Sequence, residues 1–114
     1  MNYLLQVLLP VHNEAESIEQ TISEIHGELS KQIPIEFVIS EDGSTDHTKE
    51  ILFRLKKSFP MKLLMKDKTQ GYSRAVIEGM KSMEAPYLLF LDADGQCDPK
   101  DFWRFWDLRD RYDV

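Results

Sequence analysis

The chain has 114 residues, carries a formal net charge of −6 and is 42% hydrophobic. This length suits one small domain or part of a larger one, and the apolar content supports a packed core, which excludes wholesale disorder. The acidic balance argues against nucleic acid or an anionic membrane as the default partner.

Strand and helix patterns alternate along the chain. Strands are predicted at 4–11, 35–39, 61–65 and 87–91, and apolar residues at helical spacing mark helices over 18–29, 51–59 and 75–83, with a last helix at about 100–110. Strict alternation predicts an α/β fold, with a parallel sheet that has helices on both faces. Residues 1–114 are predicted to be the front part of a domain.

The cysteine content and the N-terminal sequence bear on location. Cys97 is the only cysteine, so an internal disulfide is excluded and a reducing compartment is expected. The N-terminal residues lack the basic segment of a signal peptide, and no stretch approaches the ~18 apolar residues that cross a bilayer. These features predict a cytoplasmic protein.

The segment 88–96 is the most informative, because a hydrophobic run ends abruptly in Asp92 and Asp94. Such a run is typical of a buried strand, and residues i and i+2 of a strand leave the backbone on the same side. Two hard oxygen donors then converge on one point, which suits a divalent cation. Acidic residues after a strand are also ordinary turn formers, so the spacing alone leaves both interpretations open.

Polar clusters follow the first, second and fourth predicted strands, at 10–14, 40–44 and 92–96. Because the carboxyl ends of parallel strands lie along one edge, we expect the three clusters to meet there. Each cluster alone could be a turn or a helix cap, since Asn13, Asp42 and Ser44 are typical helix-starting residues. Their coincidence on one edge favours a binding site.

Three segments, 10–16 (Pro-Val-His-Asn-Glu-Ala-Glu), 41–46 (Glu-Asp-Gly-Ser-Thr-Asp) and 92–96 (Asp-Ala-Asp-Gly-Gln), resemble the inverting glycosyltransferase family 2 in order and approximate spacing. Within that family the sequence is most similar to the polyprenyl-phosphate sugar transferases. The resemblance covers about residues 7–99. It implies the nucleotide-sugar-binding half of a Rossmann-like GT-A fold, truncated before the acceptor-binding part.

The resemblance also implies a site, whose members follow strands or open the third helix. The implied nucleotide-binding residues are Pro10, His12, Glu14, Ser40, Asp42, Arg74, Asp92 and Ala93. Asp42 would accept hydrogen bonds from the base, and Arg74 would face the phosphates unless it is a solvated helix charge. The implied ligands of Mg²⁺ or Mn²⁺ are Asp92, Asp94 and Gln96, and the cation would neutralise the diphosphate of a UDP- or GDP-sugar.

The catalytic base and the acceptor site are expected downstream of residue 114, so residues 1–114 alone are predicted to be inactive. The implied acceptor is a polyprenyl phosphate or a saccharide, and a lipid acceptor would make the full-length protein membrane-associated. The last helix carries Phe102, Trp103, Phe105 and Trp106. These aromatic residues predict packing against the sheet, or alternatively a surface for a membrane, a partner or self-association.

Two other functions remain open from the sequence. A haloacid-dehalogenase-like phosphohydrolase also uses a strand that ends in Asp-x-Asp-Gly, but there the first Asp is a nucleophile on the first strand, whereas Asp92 follows the fourth. A non-catalytic nucleotide-binding or interaction module is the other alternative. Dinucleotide binding is disfavoured, because no Gly-x-Gly-x-x-Gly follows the first strand.

Overall fold

The computed structural model describes residues 3–93 and 98–108. The elements in chain order are β1 (Leu5–Val11), α1 (Ile18–Leu29), β2 (Ile35–Glu41), α2 (Thr48–Leu55), β3 (Met61–Leu64), α3 (Tyr72–Lys81), β4 (Tyr87–Phe90), a 3₁₀ turn (Pro99–Asp101) and α4 (Phe102–Asp107). The predicted alternation of strand and helix is confirmed.

Several boundaries differ from the sequence prediction. α2 spans Thr48–Leu55 rather than 51–59, and α3 spans Tyr72–Lys81 rather than 75–83. β2 continues two residues past the predicted end at 39, because Ser40 and Glu41 remain in register with Pro10 and Val11 of β1. The last helix begins as the 3₁₀ turn, where the Asp98 carboxylate accepts a hydrogen bond from the Lys100 amide at 2.9 Å. Its α-helical part ends at residue 107 rather than 110, and residues 109–110 lie outside the described part of the chain.

The four strands form one parallel sheet in the order β3-β2-β1-β4. β1 lies in the middle of the sheet and is buried along its whole length, as an apolar strand covered on both faces must be. The chain moves outward from β1 to β3 and then crosses to β4 on the other side of β1. Such a change of direction leaves a crevice at the carboxyl ends of the strands, where open α/β sheets bind ligands.

Helices cover both faces of the sheet, as predicted. On one face, Val7 and Leu9 of β1 and Phe37 of β2 share a buried core with residues of α1 and α2. On the other face, α3 packs on β1 and β2. Gly79 permits the close approach of α3, because a Cβ at this position would overlap a methyl group of Leu8.

The aromatic residues of the last helix pack for the most part inward. Phe102 stacks on Trp106 with ring centroids 5.5 Å apart, and Trp106 meets the edge of Tyr87 at 5.0 Å. The Trp103 indole donates a hydrogen bond to Glu28 of α1 at 3.1 Å. The predicted packing is therefore confirmed for these residues, whereas Phe105 is 63% exposed. In the described part of the chain, no helix combines the length and apolar character that a membrane span requires.

Candidate functional site

A cleft of about 330 Å³ lies at the carboxyl edge of the sheet, where the change of direction leaves a crevice. Its lining comes from the ends of β1, β2 and β4 and from the start of α3: Pro10, Val11, His12, Glu14, Asp42, Thr69, Gly71, Tyr72, Ala75, Asp92 and Ala93. The structure thus brings the three sequence clusters together. Among the residues predicted to bind the nucleotide, the cleft contains Pro10, His12, Glu14, Asp42, Asp92 and Ala93.

The loops after β1 and β2 are joined to each other by side chain–backbone hydrogen bonds. The Asn13 side-chain carbonyl accepts from the Thr45 amide at 2.8 Å, and the Asn13 amide donates to the Ser44 hydroxyl at 2.9 Å. The Glu14 amide donates to the Thr48 hydroxyl at 2.9 Å. Asn13 adopts a φ of +52°, a left-handed conformation that Asn tolerates better than most residues. Asn13 and Ser44 therefore join the two loops rather than cap helices, since the N-caps of α1 and α2 are Ser17 and His47.

Asp46 completes this junction at the start of α2. Its carboxylate accepts from the Thr48 amide at 2.9 Å and from the Ala15 amide at 3.3 Å. Partial burial disfavours the charged form, but these hydrogen bonds outweigh it and hold the pKa of Asp46 below its ordinary value. Asp46 is thus ionised at neutral pH and stabilises the start of α2 at Thr48.

The Asp42 carboxylate holds the loop that leads into α3. One oxygen accepts from the Gln70 amide at 2.7 Å and the other from the Gly71 amide at 3.0 Å. Gly71 has a φ of +111°, which favours glycine. A carboxylate has about four lone-pair sites, so Asp42 can keep these bonds and still accept from a base in the cleft.

His12 is hydrogen-bonded to the backbone of Asp42. Its Nδ1 lies 2.8 Å from the Asp42 carbonyl oxygen, which can only accept, so Nδ1 carries the proton. In the neutral ring, Nε2 is then an acceptor, and it lies 3.4 Å from the Asn13 side-chain nitrogen. His12 therefore presents an aromatic ring of fixed orientation at the cleft, suited to stacking or hydrogen bonding.

Ser40 and Arg74 were predicted to bind the nucleotide, but the structure does not bring them to the cleft. Ser40 is fully buried, and its hydroxyl donates to the Ala75 carbonyl of α3 at 2.6 Å. Arg74 is exposed on α3 and pairs with Glu78 at 3.4 Å. A hydrogen bond from Lys66 and the positive charges of Lys66 and Arg74 outweigh partial desolvation and hold the pKa of Glu78 below its usual range.

Tyr72 is a cleft residue that the sequence reasoning missed. Its hydroxyl donates to Oδ1 of Asp92 at 3.0 Å, which joins the start of α3 to the end of β4. Loss of hydration, together with the Asp92 carboxylate, raises the pKa of Tyr72, so the phenol stays protonated and can donate. Its position directly after Gly71 and two residues before Arg74, which was predicted to face the phosphates, was the available signal.

The predicted metal ligands can be tested only in part. Asp94 and Gln96 lie outside the described residues, and so does Cys97. Within the described residues, no group of three or more His, Cys, Asp or Glu side chains is placed to hold a metal ion. Asp92 is exposed at the mouth of the cleft and uses only Oδ1 for Tyr72 among the described residues. Its second oxygen fits a hard divalent cation such as Mg²⁺ or Mn²⁺.

A larger depression of about 560 Å³ lies at the opposite, amino-terminal edge of the sheet. The side chains of Gln6, Glu36 and Lys62 in its lining already have partners within the chain. The Gln6 carbonyl accepts from the Glu84 and Ala85 amides, both at 2.7 Å. Lys62 donates to Glu84 at 3.0 Å. This depression therefore offers a ligand less unsatisfied chemistry than the carboxyl edge, and we assign it no site.

The fold and the cleft define a class of protein, one with an open parallel sheet that binds ligands at the carboxyl ends of its strands. The sequence model described as "Glycosyl transferase family 2" matches residues 6–114. The chain belongs to this family.

Two curated relatives illustrate the similarity. The chain is 35% identical over 95 residues to a poly-β-1,6-N-acetyl-D-glucosamine synthase of Staphylococcus epidermidis, covering 82% of this chain and 22% of the relative. It is 33% identical over 96 residues to a dolichol-phosphate mannosyltransferase of Pyrococcus furiosus, covering 84% and 27%.

Solved structures show the same fold. A mannosyltransferase of Pyrobaculum calidifontis, PcManGT, solved with GDP-Man and Mn²⁺, superimposes with a TM-score of 0.71 at 22% identity, covering 82% of this chain and 28% of that one. TarS 1–349 of S. aureus, solved with UDP-GlcNAc, gives a TM-score of 0.78 at 20% identity, covering 97% and 32%. The chain thus spans about a quarter of the length of these curated relatives, and it has the fold of part of a GT-A glycosyltransferase.

Proposed function

We propose that residues 1–114 are the donor-binding part of a metal-dependent, inverting glycosyltransferase that takes a nucleotide-diphosphate sugar. The observation that carries this proposal is the cleft in which His12, Asp42 and Asp92 meet at the carboxyl edge of the sheet. Support comes from the neighbours of the same fold, since PcManGT was solved with GDP-Man and Mn²⁺ and TarS with UDP-GlcNAc. Membership of the family also argues against the phosphohydrolase alternative.

The lining of the cleft supplies two different kinds of chemistry. His12 offers a ring for stacking, and Asp42 offers acceptor sites that suit the imino and amino groups of a base. Asp92 contributes a hard oxygen, and we propose that Asp94 and Gln96 join it as ligands. A divalent cation bound beside Asp92 would supply positive charge for the diphosphate, because the described lining of the cleft contains neither Lys nor Arg.

The remaining parts of the reaction belong to the rest of the protein. We propose that the acceptor is a polyprenyl phosphate or a saccharide and that its base and binding elements lie beyond residue 114, because the relatives are several times longer than this chain. Residues 1–114 are then expected to bind the donor without transferring the sugar, since general base catalysis needs a base within hydrogen-bonding reach of the acceptor. The cytoplasmic location stays a prediction.

Calorimetric titration tests the donor proposal. UDP-GlcNAc and GDP-mannose are titrated into residues 1–114 with Mn²⁺ and again with EDTA, and we expect saturable binding of one of them that Mn²⁺ strengthens. Asp94→Asn should weaken binding in Mn²⁺ by ~10-fold or more, as for a lost charge-assisted contact of roughly 1.5–3 kcal/mol. Asp107→Asn, on the exposed side of α4, is the matched control.

Each of five outcomes would count against one part of this proposal. Absence of saturable binding to either nucleotide sugar would contradict donor binding. Equal affinity in Mn²⁺ and EDTA would contradict metal dependence, as would unchanged binding by Asp94→Asn. Efficient transfer to a polyprenyl phosphate by residues 1–114 would place the base within this chain. Donor binding by a full-length protein that never transfers sugar would favour the non-catalytic module.

A further inference from the structure

The hydrogen bond between Tyr72 and Asp92 closes one side of the cleft. Tyr72 is the first residue of α3, whereas Asp92 lies just beyond β4, and the two are 20 positions apart in sequence. Both line the cleft. Their side chains therefore connect two elements whose relative placement decides where the Asp92 carboxylate sits.

The two partners differ in how firmly the rest of the chain holds them. The start of α3 is held by the two hydrogen bonds that the Gln70 and Gly71 amides donate to the Asp42 carboxylate, and farther along α3 Gly79 packs against Leu8. Asp92 is exposed, and among the described residues its side chain has the Tyr72 hydroxyl as its sole hydrogen-bond partner. Tyr72 is thus the fixed member of the pair, and Asp92 is the member that gains its orientation from the bond.

We propose that Tyr72 is a positioning residue of the donor site, which holds Oδ1 of Asp92 so that Oδ2 is presented to the divalent cation. This inference rests on the proposed function, because it concerns how the cation is held. A neutral phenol has one proton to donate, so it restrains the carboxylate without removing its charge. A lysine or arginine at the same place would instead neutralise Asp92 and compete with the cation.

Packing does not explain the position of the Tyr72 ring. The side chain is 57% exposed, so little apolar area is lost when it is changed, and its hydroxyl has no role in the core. A purely structural Tyr72 would therefore alter cation binding no more than any other surface tyrosine. A positioning Tyr72 predicts a specific loss of cation affinity with the fold intact.

The test removes only the hydroxyl, with Tyr72→Phe. Binding of Mn²⁺ is followed by the electron paramagnetic resonance signal of the free ion, with and without UDP or GDP, whichever nucleotide the unaltered chain binds. We expect Mn²⁺ affinity in the presence of the nucleotide to fall by about 3- to 10-fold, as for one lost hydrogen bond. Nucleotide affinity in EDTA and the thermal unfolding midpoint should be unchanged. Tyr87→Phe, in the aromatic cluster with Trp106, is the matched control and should leave Mn²⁺ affinity unaltered.

The possible outcomes distinguish a failure of the Tyr72 inference from a failure of the proposed donor-binding function. Unchanged Mn²⁺ affinity in Tyr72→Phe would overturn the positioning role while leaving donor binding intact. Nucleotide affinity that falls equally with Mn²⁺ and with EDTA would also overturn it, because Tyr72 would then contact the nucleotide itself. If the unaltered chain bound neither UDP nor GDP, the proposed function would fail first, and the Tyr72 inference with it.

Discussion

Asp42 both lines the cleft and connects the loops around it. Its two oxygens hold the Gln70 and Gly71 amides, and its backbone carbonyl accepts from His12. The base contact implied by the family resemblance therefore adds to a structural role at the entrance to α3. A substitution at Asp42 should consequently change both stability and binding.

We expect Asp42→Ala to weaken nucleotide binding equally in Mn²⁺ and in EDTA, because its proposed contact is to the base rather than to the diphosphate. The free energy of unfolding should fall by about 1–3 kcal/mol, since two amides lose a charged acceptor. Calorimetry and urea denaturation measure the two effects. Asp67→Ala, an exposed carboxylate in the loop before α3, is the control. A loss of affinity seen only with Mn²⁺ would contradict the assignment to the base.

The sequence predicted which residues reach the cleft better than it predicted their partners. Strand ends locate Asp42 and Asp92, because apolar runs end there and parallel strands share an edge. The amides of residues 70–71 donate to Asp42, and the Tyr72 hydroxyl donates to Asp92. Each of these hydrogen bonds joins positions 20 or more apart, so no local sequence pattern predicts them. Ser40 was misplaced for the same reason, since β2 runs on and turns its hydroxyl toward α3.

At the level of elements, the loop after β2 depends on one glycine. Gly43 has a φ of +66°, and a Cβ there would lie 2.5 Å from the carbonyl carbon of Lys68 and closer still to the amide nitrogen of Thr69. The loop after β2 and the loop after β3 therefore meet backbone to backbone. This contact aligns Asp42 with the amides that it holds.

Gly43→Ala should lower the free energy of unfolding by roughly 2–4 kcal/mol. Alanine would be strained at this positive φ, and its Cβ would clash with backbone atoms of Lys68 and Thr69, which would have to move. The matched control is Gly27→Ala in α1, where an added methyl meets nothing within 4 Å. That change should raise stability by about 0.5–1 kcal/mol, the helix propensity difference between Gly and Ala. Urea denaturation measures both variants.

Comparable stability of Gly43→Ala and the unaltered chain would show that the two loops are not in this contact. A Gly27→Ala variant that is less stable than the unaltered chain would place residue 27 outside an exposed helical position. Nucleotide binding by Gly43→Ala should fall together with stability, because displacement of Thr69 moves a residue that lines the cleft.

For the whole molecule, apolar periodicity was enough to predict the α/β class. Buried strands such as β1 and amphipathic helices such as α1 can be recognised from local sequence patterns. The helices cover both faces of the sheet, as predicted. The order β3-β2-β1-β4 was not predicted, because it depends on where each crossover places the next strand. The solved structures of similar fold were compared with the chain as a whole and did not serve to predict this order.

Exposed apolar side chains remain on α4 and on the end strand of the described sheet. Phe105 and Leu108 are exposed on or just after α4, whereas Leu88 and Phe90 of β4 are exposed on the face away from the contact between Tyr87 and Trp106. Exposed apolar side chains favour association. We propose that isolated residues 1–114 self-associate through the exposed side of α4.

Sedimentation velocity over a range of protein concentrations tests this association. The unaltered chain should sediment faster as concentration rises, and Phe105→Glu should weaken the association by ~10-fold or more, as expected for about 1.5–3 kcal/mol of lost aromatic burial. Phe53→Glu is the matched control, since Phe53 is similarly exposed but lies on α2. A monomer at every concentration, or equal effects of the two variants, would contradict the proposed surface.

The bonds between the loops after β1 and β2 also bear on how such proteins can be recombined. Asn13 bonds to Ser44 and Thr45, and Glu14 and Ala15 bond to Thr48 and Asp46, so each loop supplies the partners of the other. A graft that imports residues 10–16 from another member of the family without residues 41–48 would leave hydrogen-bond donors and acceptors mismatched between the two loops. Chimeric proteins should therefore exchange these two segments together.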